Sequence, residues 1–412
     1  MERVVITGAG LVSPLGNDVP SFWNALLQGA SGISKVDAWD TSVMKTSLAG
    51  VVREFDADAR FGRKEARRMD RFCQFALAAA EDAIQDAGLK LDQVNKERMG
   101  VYVGSGIGGI STLMEQAEVL RTRGVSRVSP LLVPMMISNM AAAMISIRTG
   151  AEGPTLSPVT ACSIGNTAIG EAFRLIRAGG ADVILAGGAE AAISEISMAG
   201  FGNATALSGW DGDPARASRP FDAGRDGFVM AEGAGILVLE SLSHAQKRGA
   251  QIYAEVTGYG ATSDAYHVVA SHPEGKGAYL AMKLALQEAG VEPANVDVIS
   301  AHATSTQVGD RSEVAAIKRL FGEEAYRIPV TANKSMIGHM FGAAGGVEAI
   351  ALVQMIRDGR IPPTINQETA DPECDLDFVP NEARRKDVRI GISNSFGFGG
   401  HNAVIVLEKF AP

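Results

Sequence analysis

Cysteine is scarce in this chain: three in 412 residues, at Cys73, Cys162 and Cys374. They are far apart and odd in number, which excludes a disulfide framework, and no CxxC pair offers a structural zinc site. The pattern is that of reduced thiols in a cytoplasmic protein. Positive charge is also short. The 38 Lys and Arg against 47 Asp and Glu leave a net charge of −9. Neither nucleic acid nor an anionic membrane is therefore an expected partner of the whole chain. No apolar run reaches the length of a membrane span. The opening "MERVVITGAGLVSPLG" enters a strand-like run without the basic-then-apolar layout of an export signal. What is present is 46% hydrophobic and 21% charged, enough to bury a large core.

Strand-like and helix-like segments alternate along the chain. Strands are predicted over residues 3–10, 98–106, 153–161 and 182–188, with helices over 64–88 and from Cys162 to Arg177. The second half replays the order: strands over 252–261, 296–306 and 327–335, helices over 278–290, after Asp310, and over 342–358. A glycine-centred pair of strands closes the chain at 389–408. This grammar predicts a mostly parallel sheet covered by helices. Two matches make a duplication concrete. "DAIQDAGL" (82–89) aligns with "LALQEAGV" (284–291), and "PVTA…LIRAGG" (158–180) with "PVTA…MIRDGR" (329–360). Two similar α/β halves, 1–250 and 251–412, are expected to pack as one unit.

The two copies of "PVTA" are armed differently. In the first, Cys162 stands where a strand gives way to a small-residue helix, so backbone N–H groups and the helix dipole favour its thiolate. The alternative is a buried structural cysteine, which suits Cys73 within the apolar pattern of a helix. Cys374, in "DPECDLD", has no assisting group nearby in sequence. In the second copy, Lys334 stands at the end of the strand, His339 follows it, and His302 ends the neighbouring one in "AHATST". In open α/β sheets, sites gather at such strand ends. Lys334, if buried, needs a partner, and Glu348 on the next helix is the candidate. Cys162 with the two histidines as a zinc site lacks the usual ligand spacing. "GSGIGG" (104–109) fits a dinucleotide fingerprint only loosely, since no acidic residue ends the next strand. "NSFGFGGHN" (394–402) precedes no helix pattern and suits a mobile, phenylalanine-bearing loop.

Taken in order, "TACS", "AHATST…GD", "NKSMIGH…GAAGG" and "NSFGFGGHN" resemble the beta-ketoacyl-acyl-carrier-protein synthases, most of all the elongating type II enzymes. The likeness runs nearly end to end and includes "SRPFDAGRDGFVMAEGAG" (218–235). It implies the thiolase fold, two βαβαβαββ-type halves in an α-β-α-β-α layering, and a homodimer. It also implies decarboxylative condensation of acyl-carrier protein with malonyl-carrier protein through an acyl-cysteine. On this resemblance Cys162 is the nucleophile, His302 and His339 the paired histidines, and Lys334 the lysine beside them, supported by Glu348, Thr304 and Thr306. Phe398 matches the gating residue, with Phe396 behind it and oxyanion N–H groups at Cys162 and Phe398. Ile107 matches the acyl-pocket bend. No cofactor or metal is implied, since phosphopantetheine arrives on the carrier protein. Lys64, Arg67 and Arg68, placed by their spacing on one helix face, match the carrier-docking patch.

Ala303 departs from the usual glycine of "HGTST", and "HMFGAAGG" from the usual "HLLGAAG", which touches pocket shape. The histidine pair separates the chain from initiating synthases, which carry Asn in place of the second histidine. The absence of a second cysteine in "GFGGHN" separates it from thiolases. An aromatic polyketide ketosynthase would share the triad. A non-catalytic acyl-binding protein would not need Cys162, His302, Lys334 and His339 together. The apolar stretch 130–147 is either core or subunit interface.

Overall fold

The structure, a computed structural model, describes residues 1–412. Strand β1 (Val4–Val12) is buried at every position. After it come helices α1 (Arg63–Ala66) and α2 (Arg71–Asp86), then β2 (Met99–Gly104). Helices α3 (Ile110–Arg123) and α4 (Met140–Thr149) lead to β3 (Thr155–Leu156). Helix α5 (Ile164–Arg177), β4 (Val183–Glu190) and β5 (Gly233–Ser241) complete the first half. The second half repeats this order with β6 (Ala254–Ser263), α6 (Lys276–Ala289), β7 (Val298–Ser300) and α7 (Gln307–Phe321). It ends with β8 (Val330–Thr331), α8 (Ala344–Asp358), β9 (Ile390–Gly397) and β10 (His401–Glu408).

One ten-stranded sheet joins the halves in the order β8-β7-β9-β10-β6-β1-β5-β4-β2-β3. Outward from the central β1–β6 pair, both halves run antiparallel, antiparallel, parallel, parallel. The sheet is thus mixed, not mostly parallel. The correction has a simple cause: β4–β5 and β9–β10 return antiparallel, with no helix crossover on the sheet between them.

Close approaches repeat with the strands. A Cβ on Gly8 or Gly10 would lie 2.4 or 2.1 Å from a carbonyl oxygen of α2, and one on Gly258 or Gly260 would lie 2.1 or 2.0 Å from one of α6. Only glycine lets these helices lie so near their strands. Three large apolar cores follow. Phe72, Leu77 and Val101 fill the space between α2 and the first half-sheet. Ile169, Phe173, Ile350 and Leu352 bury α5 and α8 between the half-sheets. Met282, Ile317 and Val404 pack α6 and α7 on the other face. The layering is α-β-α-β-α, and its middle layer explains why α8 is buried from Ala344 to Ile356.

Several predicted elements are shorter. The helix over 64–88 breaks after Ala66, and a new one starts at Arg71 with the Asp70 side chain accepting from Phe72 N. Arg67 and Arg68 are therefore turn residues, and Lys64, Arg67 and Arg68 do not share a continuous helix face. The strand over 153–161 keeps only Thr155–Leu156, at the sheet edge. That over 296–306 stops at Ser300, and Lys334 begins a helical turn rather than ending a strand. In the 130–147 stretch Ala141, Ala142 and Ile145 are core, while Val133 and Ile147 are exposed at 57% and 73%.

Candidate active site

Two matching turns face each other at the middle layer. Ala161–Ser163 precedes α5, and Phe341–Ala343 precedes α8. Ala161 and Phe341 share a left-handed φ, 50° and 46°, a strain kept where the surroundings over-determine the backbone. Cys162 sits on the first turn, 7% exposed. Burial pushes its thiol up to about 12, partly opposed by Lys334 and by the Phe398 and Cys162 N–H groups. The resting group is therefore a thiol. The expectation of a thiolate favoured by the helix start is outweighed by desolvation.

The histidines come from the other half. His302 leaves β7 on a turn in which Ala303 and Ser305 take positive φ. Glu313 of α7 holds it, accepting from His302 N at 2.9 Å and Ala303 N at 2.8 Å, and Asp310 accepts from Ser305 N at 3.1 Å. His339 faces His302 edge-on, with ring centroids 5.4 Å apart. Phe341 and Phe228 pack on His339 at 4.9 and 5.4 Å, and Phe396 on His302 at 5.6 Å. Burial, then the Lys334 charge, holds both imidazoles well below the usual range, and His339 adds to the effect on His302. No carboxylate meets either Nδ1. Both rings are neutral near pH 7.

Lys334 and Glu348 are each 1% exposed and form an ion pair, Nζ to Oε1, at 2.5 Å. Burial raises the Glu348 carboxyl, and the lysine pulls it back. Thr304 and Thr306 bond each other at 3.1 Å, and Thr306 caps α7. Phe398 stands on the β9–β10 hairpin, 36% exposed and 6.2 Å from the Phe201 ring. One cavity of about 570 Å³ is lined by Cys162, His302, His339, Thr304, Thr306, Phe396, Phe398 and Ile107. The sequence-predicted residues thus come together there, with the Lys334–Glu348 pair behind them. Lys64, Arg67 and Arg68 lie elsewhere, exposed at the surface. Glu65 among them is tied to Arg148 instead.

Sequence reasoning missed Glu313, Asp310 and Glu190. Their signal is weak: a carboxylate among small or apolar residues on a helix or strand, with its donors far away in the chain. Of the other histidines, His244 pairs with Glu240, and His401 is exposed. Cys73 is 1% exposed in α2, a core thiol, and Cys374 is also buried, at 5%. No three His, Cys, Asp or Glu side chains are grouped to hold a metal ion.

Residues 1–245 match the beta-ketoacyl synthase N-terminal domain and residues 253–368 its C-terminal domain. The chain is 51% identical over 409 residues to a 3-oxoacyl-[acyl-carrier-protein] synthase 2 of Staphylococcus aureus strain COL, covering 99% of each. It is 49% identical to the Synechocystis enzyme of that name, over 99% of this chain and 98% of the other. Among solved structures, a beta-ketoacyl synthase from Burkholderia phymatum matches at 35% identity and TM-score 0.93 over all of both chains. A type II polyketide ketosynthase, solved in complex with its acyl-carrier protein, matches at 36% and 0.92, over 99% of this chain and 100% of that one.

Proposed function

The chain belongs to the beta-ketoacyl synthase family, and from that premise we propose that it condenses acyl-carrier protein with malonyl-carrier protein in fatty acid elongation. The products are 3-oxoacyl-carrier protein, carbon dioxide and free carrier protein. The observation that carries this reading is the convergence of Cys162, His302 and His339 on one cavity with both imidazoles neutral. Cys162 takes the acyl group from the incoming thioester, and its proton leaves with the departing pantetheine sulfur. The Cys162 and Phe398 N–H groups, which act on the Cys162 sulfur in the resting site, receive the tetrahedral oxyanion. Malonyl-carrier protein then loses carbon dioxide, leaving an enolate whose oxygen takes N–H bonds from His302 and His339. Uncharged rings in a dry cavity suit that work, because the bonds strengthen where water is excluded. The enolate carbon attacks the acyl-cysteine carbonyl, and a solvent proton restores the Cys162 thiol. Lys334, held in place by Glu348, adds its charge to burial in keeping the imidazoles unprotonated. Thr304 and Thr306, at the cavity wall, meet the pantetheine arm. Phe398, with Phe396 behind it, gates the entrance, and Ile107 bends the acyl pocket.

The pantetheine arm comes with the carrier, and the side chains supply the rest, so no resident cofactor is part of this reading. An acidic carrier protein docks on Lys64, Arg67 and Arg68, which face solvent with Arg63 while Arg148 draws Glu65 aside. A homodimer is supported by the open edge at β3, on which Leu156 is exposed, and by exposed Val133, Ile147 and Val159 in the flanking chain. No helix is long and apolar enough to cross a membrane, and the reading places the enzyme in the cytoplasm. Intact mass after mixing with palmitoyl-carrier protein tests the nucleophile. An acyl adduct is expected on the wild type and none on Cys162→Ala; equal adducts on both would overturn it.

A further inference from the structure

Glu190 ends β4 and is wholly buried, yet no step above uses it. Four donors converge on it. Ser105 Oγ at 2.7 Å and Ile107 N at 3.1 Å reach Oε1, while Gly106 N at 2.9 Å and Gly342 N at 3.1 Å reach Oε2. Ser105 Oγ itself accepts from Gly108 N at 3.0 Å, so its own proton points to Glu190. Three of the four partners are backbone N–H groups, which can only donate and so favour the carboxylate, against the burial that pushes this carboxyl up.

The donors stand on two turns that line the cavity beside Cys162. One carries Ile107, from the first half of the chain, and the other follows Phe341, from the second. Both press on the carboxylate, since a Cβ on Gly106 or on Gly342 would come within 3.0 Å of Oε2. The duplication gives the reason. The turns before α5 and α8 match, Ala161 with Phe341, so Gly342 stands where Cys162 stands in the other half. The Cys162 N–H points into the reactive cavity. Its counterpart at Gly342 would be a buried orphan donor without Glu190, which costs stability. Phe341, an aromatic residue at φ 46°, would lose the neighbour that holds it there.

We propose that Glu190 is a positioning residue for acyl-chain selection, whose carboxylate clamps the Ile107 turn to the Phe341 turn and so fixes the bend and width of the acyl pocket. The inference rests on the ketoacyl synthase reading above and adds a specificity determinant to it. Glu190→Gln keeps the size but turns an amide NH2 toward backbone N–H groups, which pushes the turns apart. Ser105→Ala is a milder second variant that removes one donor. The experiment measures kcat/KM of each for hexanoyl- and palmitoyl-carrier protein, with the rate of Cys162 alkylation by iodoacetamide as a check on the thiol.

The expected result is a shift of about tenfold or more in the palmitoyl-to-hexanoyl ratio for Glu190→Gln, on the scale by which a pocket wall discriminates acyl length. Ser105→Ala shifts the ratio the same way by less and keeps alkylation near the wild-type rate, while Glu190→Gln alkylates somewhat faster, because it removes a negative charge that raises the Cys162 thiol. An unchanged ratio in both variants overturns the inference, even if total activity falls, because a merely structural loss lowers both substrates alike. If Glu190→Gln does not fold, the ratio of Ser105→Ala decides by the same criterion. If the wild type transfers neither acyl group to Cys162, the function fails instead and this result is told apart from the first.

Discussion

Gly165 is the residue on which the separation of the two half-sites depends. It lies in the first turn of α5, just after Cys162, and packs on the first turn of α8, just after His339. A Cβ there would sit 2.3 Å from Gly346 N and 2.7 Å from the Gly345 carbonyl carbon, where ordinary contact begins at 3.4 Å. Both neighbours are backbone and cannot swing aside. Gly165→Ala therefore forces α5 and α8 apart by about 1 Å, and Cys162 moves away from the histidines with its helix. The stability cost is about 1–3 kcal/mol, offset in part by about 1 kcal/mol of helix propensity. A misplacement of about 1 Å between reacting groups costs about 100-fold in rate. The assay is condensation kcat beside iodoacetamide alkylation of Cys162. Condensation should fall by about two orders of magnitude while alkylation, which needs only the thiol, stays within about threefold. A folded variant that condenses within a few-fold of wild type would refute the claim that the helix crossing sets the catalytic distance.

Three further outcomes are expected. Lys334→Met leaves Glu348 buried without its cation, at a cost of about 3–5 kcal/mol. It also lifts the field that depresses His302 and His339, so the imidazoles protonate at higher pH. The acid limb of the decarboxylation profile should move upward in pH, and an unmoved limb would count against the lysine's role. Adding Glu348→Leu should restore the urea midpoint but not the rate. Because burial pushes the Cys162 thiol up to about 12, its thiolate fraction grows as pH rises, and alkylation should speed up about tenfold per pH unit from about 7 to 9. A plateau below about pH 8 would show a thiolate already formed. Arg67→Glu with Arg68→Glu should raise KM for carrier-bound substrates and spare acylation by a small thioester; equal losses with both substrates would remove the docking role.

Much of this architecture was legible in the sequence because the chain repeats its chemistry as well as its pattern. The two "PVTA" stretches lead into the two central helices, and the matches at 82–89 and 284–291 mark the ends of α2 and α6. Cys162, His302, Lys334 and His339 stand out by residue type and by their place near the ends of predicted strands, although the strands themselves stop short of them. What stayed hidden depends on distant groups. β7 stops at Ser300 although the β-like pattern continues, because Glu313 and Asp310 pull residues 302–305 into a turn. The helix break at 67–70 follows Asp70, which accepts from Thr112 Oγ1 at 2.5 Å as well as capping α2. Glu190 had no local signal, since its donors come from residues 105–107 and 342.

The most direct test of the account is a single turnover on preformed palmitoyl-Cys162 enzyme. Malonyl-carrier protein is added, and carbon dioxide and carrier-bound product are measured together in the wild type, His302→Ala and His339→Ala. The account predicts that the wild type discharges its adduct as a 3-oxoacyl chain two carbons longer, with one carbon dioxide per product. Each histidine variant should keep its adduct and release little carbon dioxide. Discharge of the wild type as free fatty acid, or undiminished carbon dioxide release in both variants, would contradict it.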